Sequence, residues 1–199
     1  ATGISDIPAC DFIVKTVNEK ADVTILAIGP LTNIALALSK DPSIAKKAKL
    51  VLMGGHISRA NPEWNIKCDP EAARIVFESK IPITMVGLDV TEKCQLSHEQ
   101  IGLIKQTGNK RTDLLGDMIE KFLQQFNFMP TLHDPLALAT MIWPELMEYE
   151  NKTILIETRG EFTRGVTVDL VQNHNPNAKV AVTVNSDEFI DRFLKRIRT

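Results

Sequence analysis

The chain has 199 residues, of which 44% are hydrophobic, and a formal net charge of −2 at pH 7. A chain of this size and composition can bury a core, so we expect one domain over 1–199. The charge gives no reason to expect a nucleic-acid partner, and no apolar stretch approaches the roughly 18 residues of a membrane span. Three widely spaced cysteines favour reduced thiols and a cytoplasmic protein.

In the first half of the chain, short apolar runs alternate with helical patterns. Strands are predicted at 23–28, 50–55 and 83–91, and a helical pattern follows each of them. This alternation predicts an α/β fold with a mostly parallel central sheet flanked by helices. Ligands in such folds bind outside the carboxyl ends of the strands. We therefore expect a site near 28–30, 53–55 and 88–90.

The second half begins with helices and continues with β-rich segments. A long amphipathic helix is predicted at about 111–126, and another begins near Asp134. Segments 152–158, 165–171 and 179–184 follow at hairpin-like intervals. The final helix carries an apolar stripe that is predicted to lie in the core: Phe189, Ile190, Phe193, Leu194 and Ile197.

Asp-Pro dipeptides occur at Asp41, Asp69 and Asp134. Aspartate is a preferred N-cap residue and proline is preferred at the first helical position, so each dipeptide predicts a helix start. Asp134 differs from the other two because His133 precedes it at the mouth of an apolar run. These two residues could begin a helix, take part in chemistry, or do both.

Two further segments contain candidate ligand-binding residues. Glu63 and Asn65 are two positions apart, so in an extended segment both would point to one side. A carboxylate beside a carboxamide suits vicinal hydroxyls, although a solvated loop explains the pair equally simply. Phe122, Phe126 and Phe128 could pack in the core or form an aromatic wall for a planar ligand.

Six ordered segments resemble the inosine–uridine-preferring nucleoside hydrolases. They are "AIGPLTNIALAL", "LVLMGG", "PEWNIKCDPEAARIVF", "ITMVGLDVT", "LHDPLALA" and "TRGVTVDLV". The resemblance implies an α/β fold, a bound Ca²⁺ and hydrolysis of the N-glycosidic bond of ribonucleosides. It also implies a homo-oligomer, because members of this family commonly form dimers or tetramers.

The resemblance also implies roles for individual residues. Asp134 would bind Ca²⁺ while also capping its helix, and the backbone carbonyl of Ile28 would be a second ligand. His133 would lie by the leaving base as an acid, and Glu63 and Asn65 would hold the ribose. Asn61 is a less direct match to an asparagine that contacts the sugar in the family. From the aromatic alternative given above, Phe126 is a further predicted substrate contact.

One part of the family pattern does not occur in these 199 residues. The aspartate cluster of the form DxDxGxDD supplies most of the Ca²⁺ carboxylates in the family. We therefore expect this chain to correspond to the C-terminal two-thirds of a nucleoside hydrolase and to be inactive by itself. The alternatives are a non-catalytic homologue that binds a nucleoside or protein partner, and an α/β module whose motifs serve folding only.

Overall fold

The computed structural model describes residues 6–105, 109–171 and 175–198. In chain order the elements are α1 (Ala9–Glu19), β1 (Val23–Ala27), α2 (Thr32–Lys40), β2 (Ala48–Met53), α3 (Trp64–Cys68), α4 (Pro70–Glu78), β3 (Ile83–Val86), α5 (Leu88–Thr91), α6 (His98–Lys105), α7 (Lys110–Gln125), α8 (His133–Ile142), β4 (Met147–Lys152), β5 (Ile154–Ile156), β6 (Thr167–Asp169), β7 (Ala178–Val184) and α9 (Ser186–Ile197). Two short 3₁₀ helices span Pro42–Lys46 and Pro144–Leu146. None of the described helices is both long enough and apolar enough to cross a membrane.

The main sheet has the strand order β1-β2-β3-β7-β4. The first four of these strands are parallel, and β4 pairs antiparallel with β7 at one edge. β5 and β6 form a separate antiparallel ribbon. The predicted α/β fold with a mostly parallel sheet is confirmed.

Alternate residues of each strand point to opposite faces of the sheet, which is the two-residue period of β structure. Leu50 and Leu52 of β2 enter a core cluster covered by α1, α2 and α4. Val51 and Met53 enter a second cluster on the other face, beneath α5, α6, α8 and α9. The stripe of α9 belongs to this second cluster, as predicted.

Two strand predictions are corrected by the structure. The third strand ends at Val86, and the predicted continuation to Thr91 is the short helix α5. The Gly87 carbonyl accepts from Val90 N–H and Thr91 N–H, which starts this helix. Position 87 requires glycine because a Cβ atom there would lie 2.7 Å from the Gly55 carbonyl oxygen. Strand β4 was not predicted, and 179–184 belongs to β7, which lies parallel to β3 in the main sheet.

Candidate active site

A cavity of about 380 Å³ lies at the carboxyl ends of β1 and β2, between α3, α5 and α8. Residues from five separate segments meet there, which agrees with the expected position of a ligand in a parallel sheet. Five of the predicted site residues line it: Ile28, Glu63, Asn65, His133 and Asp134.

The turn after β2 is held in a conformation that requires glycine. Gly55 has φ +69°, and a Cβ atom there would lie 2.8 Å from Met85 Cε and from Thr167 Cγ2. Thr167 Oγ1 accepts from His56 N–H at 3.0 Å and donates to the His56 carbonyl. A distant strand, β6, thereby holds the turn that leads into the site.

Glu63 connects this turn to helix α3. Its side chain is 5% exposed and accepts from Gly55 N–H at 3.0 Å, Asn65 N–H at 2.9 Å and Ile66 N–H at 3.1 Å. Glu63 is therefore the N-cap of α3. The predicted extended arrangement of Glu63 and Asn65 is wrong, because Asn65 already lies in the first turn of this helix.

Asn65 is attached to the end of β2. Its Nδ2 donates to the Met53 carbonyl oxygen at 3.1 Å, and it lies 3.4 Å from Met53 Sδ. Because one bond goes to the last residue of a buried strand, the carboxamide is held at a defined place on the cavity wall. A fixed carboxamide keeps both donor and acceptor capacity for a hydroxyl ligand.

The third Asp-Pro dipeptide differs structurally from the other two. Asp41 accepts from Ser43 N–H and Asp69 from Ala72 N–H, each at 3.0 Å, so both are N-caps. Helix α8 instead begins at His133 with Leu132 as its N-cap, and the Asp134 side chain makes no capping bond. The predicted cap role of Asp134 is wrong.

The physical reason for the earlier helix start is the path of the incoming chain. Leu132 N–H donates to the Cys94 carbonyl at 2.9 Å, and Thr131 forms a bridge with Gln95. The Leu132 carbonyl then accepts the first helical bond from Leu136 N–H at 3.1 Å. Asp134 is consequently in the first turn, where its carboxylate lines the cavity instead of closing the helix end.

Electrostatics distinguish the two residues of the His-Asp pair. Burial lowers the pKa of His133, while the negative charges of Asp134, Glu92 and Glu63 act in the opposite direction. Burial also raises the pKa of Asp134, with His133 lowering it and Glu63 raising it further. The site therefore favours a neutral imidazole and leaves the Asp134 carboxylate short of compensating positive charge.

Two predicted substrate contacts do not line this cavity. Asn61 is exposed in the loop before α3. Phe126 and Phe128 are 41% and 58% exposed and pack on Phe122, with ring centroids 4.8 to 5.6 Å apart. The core-packing alternative is wrong for these two rings, because the chain leaves α7 at Phe126 in an extended conformation.

Sequence reasoning assigned no ligand role to two residues at this site. Trp64 is 72% exposed and lines the cavity beside Asn65. Thr91 is fully buried, and its Oγ1 lies 2.8 Å from His133 Nδ1. The "DVT" letters of the third β-rich segment indicated a strand, and only its turn into α5 brings Thr91 to the histidine.

Within 6–105, 109–171 and 175–198, no three histidine, cysteine, aspartate or glutamate side chains lie close enough together to hold a metal ion. The cavity contributes the Asp134 carboxylate and the wall at Ile28, one residue beyond β1. Such a site can bind a polar ligand that carries several hydroxyls and a planar group. The fold and the cavity together define an α/β protein with a cavity at its strand ends that is large enough for a small molecule.

Comparison with known proteins identifies the family. Residues 2–191 match the family model described as inosine-uridine preferring nucleoside hydrolase. A pyrimidine-specific ribonucleoside hydrolase RihA from Citrobacter koseri is 37% identical over 205 residues, covering 95% of this chain and 65% of the relative. The chain belongs to the inosine-uridine preferring nucleoside hydrolase family, and it spans less than two thirds of the length of that relative.

Solved structures agree with this assignment. A purine-preferring ribonucleoside hydrolase from Gardnerella vaginalis superposes with a TM-score of 0.91 at 34% identity, covering 98% of this chain and 66% of that chain. An inosine-uridine preferring nucleoside hydrolase from Bacillus anthracis gives 0.83 at 28% identity, covering 100% and 67%. The predicted family resemblance is therefore confirmed.

Proposed function

We propose that this chain forms the ribose and leaving-base side of an active site that hydrolyses the N-glycosidic bond of ribonucleosides to ribose and free base. The supporting observation is the convergence of Asn65, His133 and Asp134 on one cavity from two separate helices, α3 and α8. The RihA relative is named pyrimidine-specific, whereas the Gardnerella neighbour is named purine-preferring. We therefore propose the substrate class as ribonucleosides without a base preference.

The side chains suit the charges that develop in this reaction. Breaking the N-glycosidic bond leaves positive charge on the ribose and negative charge on the base. His133 would donate a proton or hydrogen bond to the departing base. The fixed carboxamide of Asn65 would hold a ribose hydroxyl, and Glu63 would accept from another through the lone pair of Oε1 that its three backbone donors do not use.

Ca²⁺ is proposed as a cofactor of the complete site, although the described residues do not fit a full Ca²⁺ site. Ca²⁺ takes about six to eight oxygen ligands. The Asp134 carboxylate is available to a cation because it lines the cavity and does not cap its helix. With the Ile28 carbonyl it gives only two protein ligands, so we derive no catalytic step through the metal.

Ligand binding to this chain can be tested through its tryptophans. The chain has two, and replacing Trp143 by Phe leaves Trp64 as the only indole, exposed on the cavity wall. Uridine and inosine should change its fluorescence, and Asn65→Ala should weaken that response more for ribonucleosides than for 2′- or 3′-deoxynucleosides. An absence of response to either nucleoside would contradict the proposal.

Catalysis can be tested in a chimera that joins the unmatched third of the Citrobacter koseri relative to this chain. We expect ribose release in the presence of Ca²⁺. His133→Ala should reduce it by about 10²- to 10⁴-fold for inosine, with a smaller loss for a nucleoside that has an activated leaving group. A folded chimera without turnover would contradict the proposed hydrolase function, and equal losses on both substrates would contradict donation of a proton or hydrogen bond to the leaving base.

A further inference from the structure

The contact between Thr91 and His133 joins two segments that are 42 residues apart in the chain. Thr91 ends α5 and is fully buried, and its Oγ1 lies 2.8 Å from His133 Nδ1. The backbone of Thr91 is also held, because its N–H donates to the Gly87 carbonyl at 3.1 Å and its carbonyl accepts from Cys94 N–H at 3.0 Å. The hydroxyl therefore has a fixed position on the side of the ring away from solvent.

The direction of this hydrogen bond follows from the surroundings of the hydroxyl. A buried hydroxyl proton needs an acceptor. Thr140 Oγ1 satisfies this need by donating to the Ala137 carbonyl at 2.8 Å. For Thr91 Oγ1, the hydrogen-bond partner within the described part of the chain is His133 Nδ1. Thr91 is thus the donor and Nδ1 the acceptor.

We propose that Thr91 is a positioning residue, which holds neutral His133 as the Nε2–H tautomer and directs that N–H towards the cavity. A neutral imidazole whose Nδ1 accepts must carry its proton on Nε2. Thr91 is buried behind the ring and His133 lines the cavity, so the ring lies between the hydroxyl and the ligand space.

The tautomer of His133 determines which ligand group the ring can bind, and the identity of that group rests on the proposed function. An Nε2–H group is a donor, so its partner on a ligand must be an acceptor. Pyrimidine O2 and purine N3 are both acceptors next to the glycosidic nitrogen. Thr91 would therefore make the site selective for leaving bases with an acceptor at that position, whether the base is a purine or a pyrimidine.

The tautomer can be measured directly on this chain by ¹⁵N NMR of the histidine rings. The chain has four histidines, and His133→Gln assigns the signals of interest. We expect the neutral wild-type ring and that of Thr91→Ser to be protonated on Nε2, and Thr91→Val to show a mixture of tautomers. Thr140→Val is the matched control, since it removes a buried helical hydroxyl that does not touch His133.

Several results would overturn the proposal. Protonation of Nδ1 in the wild-type chain would do so without any variant, so a Thr91→Val chain that fails to fold leaves the test intact. An unchanged tautomer in folded Thr91→Val would also overturn it, as would a similar change in Thr140→Val. None of these results depends on turnover.

The kinetic consequence can be measured in the chimera described above. Thr91→Val should lower kcat by about three- to tenfold, the value of one hydrogen bond, with little change in KM, and Thr91→Ser should restore it. The loss should be smaller for a nucleoside with an activated leaving group, which needs no donor. Equal losses on both substrates would overturn the recognition part, whereas an inactive wild-type chimera would contradict only the proposed function.

Discussion

Strands β1 and β2 are neighbours with similar apolar sequences, yet they are buried very differently. Five of the six residues of β2 are buried, whereas all five residues of β1 are only partly buried. β2 pairs on both sides, and β1 pairs only with β2 within the described residues. An apolar run therefore predicts that a strand forms, but it does not predict how fully neighbouring strands and helices cover that strand.

The partly buried strand borders an apolar groove. A cavity of about 340 Å³ lies beside β1, with Leu26, Leu138, Ile142 and Phe193 in its wall. It adjoins the candidate active site, because Asp134 and Ile28 line both cavities. The side of the site that contains Asn65 is supported by β2, whereas the side proposed for the metal lies at the β1 edge.

Ca²⁺ affinity should give the largest contrast between these two sides. With two protein ligands at the β1 edge, this chain should bind Ca²⁺ with a Kd of about 1 mM or weaker. That affinity is at least about 10³-fold below that of a micromolar site, which corresponds to about 4 kcal/mol of binding free energy. Without that metal the chain alone should not hydrolyse inosine. Calorimetric titration and an assay at high enzyme concentration are the measurements. Micromolar binding with steady turnover would show that other acidic residues of this chain complete the site.

Truncating a core side chain should lower folding stability more in β2 than in β1. Leu50 of β2 and Ile25 of β1 are register partners that pack in the same core cluster. Leu50→Ala should lower the free energy of unfolding by about 2–5 kcal/mol, because it leaves a cavity in a fully packed position. Ile25→Ala should cost clearly less, because solvent already reaches that strand. Urea unfolding measures both, and equal losses would remove the distinction between the strands.

The turns that follow the two strands should also differ. Gly55→Ala, after β2, should cost about 1–3 kcal/mol, because φ is +69° and the new methyl group would lie 2.8 Å from Met85 and Thr167. Gly29→Ala, after β1, meets nothing within 4 Å and is the matched control, expected within about 0.5 kcal/mol. Thermal unfolding of both variants measures these losses of folding stability. A neutral Gly55→Ala would mean that the turn relaxes without strain.

Self-association should show the smallest of these effects. Within the described ranges β1 has an unpaired edge beside an apolar groove, which favours pairing with another chain, and a homo-oligomer remains our proposal. Leu138→Glu, in the groove, should weaken concentration-dependent association several-fold in sedimentation experiments. Leu36→Glu is the control, since Leu36 is similarly exposed on α2 and does not line the groove. A wild-type chain that stays monomeric at every concentration would contradict this prediction.

The fold class, the family and five residues of one cavity could be predicted from the amino-acid sequence. Apolar runs at 23–28 and 50–55 predict β1 and β2, since strands covered on both faces must be apolar along their length. The strand-end rule then predicts that Ile28 and the segment after Met53 lie near a ligand. The family resemblance adds His133 and Asp134, which no spacing rule could separate from an ordinary helix start.

The hydrogen bonds that those residues make could not be predicted, because they depend on contacts formed in the folded chain. Asp134 is not a cap because Cys94, from another segment, binds Leu132 and makes the helix begin earlier. Glu63 is a buried cap because the turn at Gly55 brings a third backbone donor to its carboxylate. Thr91 reaches His133 because α5 interrupts what appeared to be a continuous strand. Each outcome depends on hydrogen bonds between residues distant in sequence, whose partners local patterns do not specify.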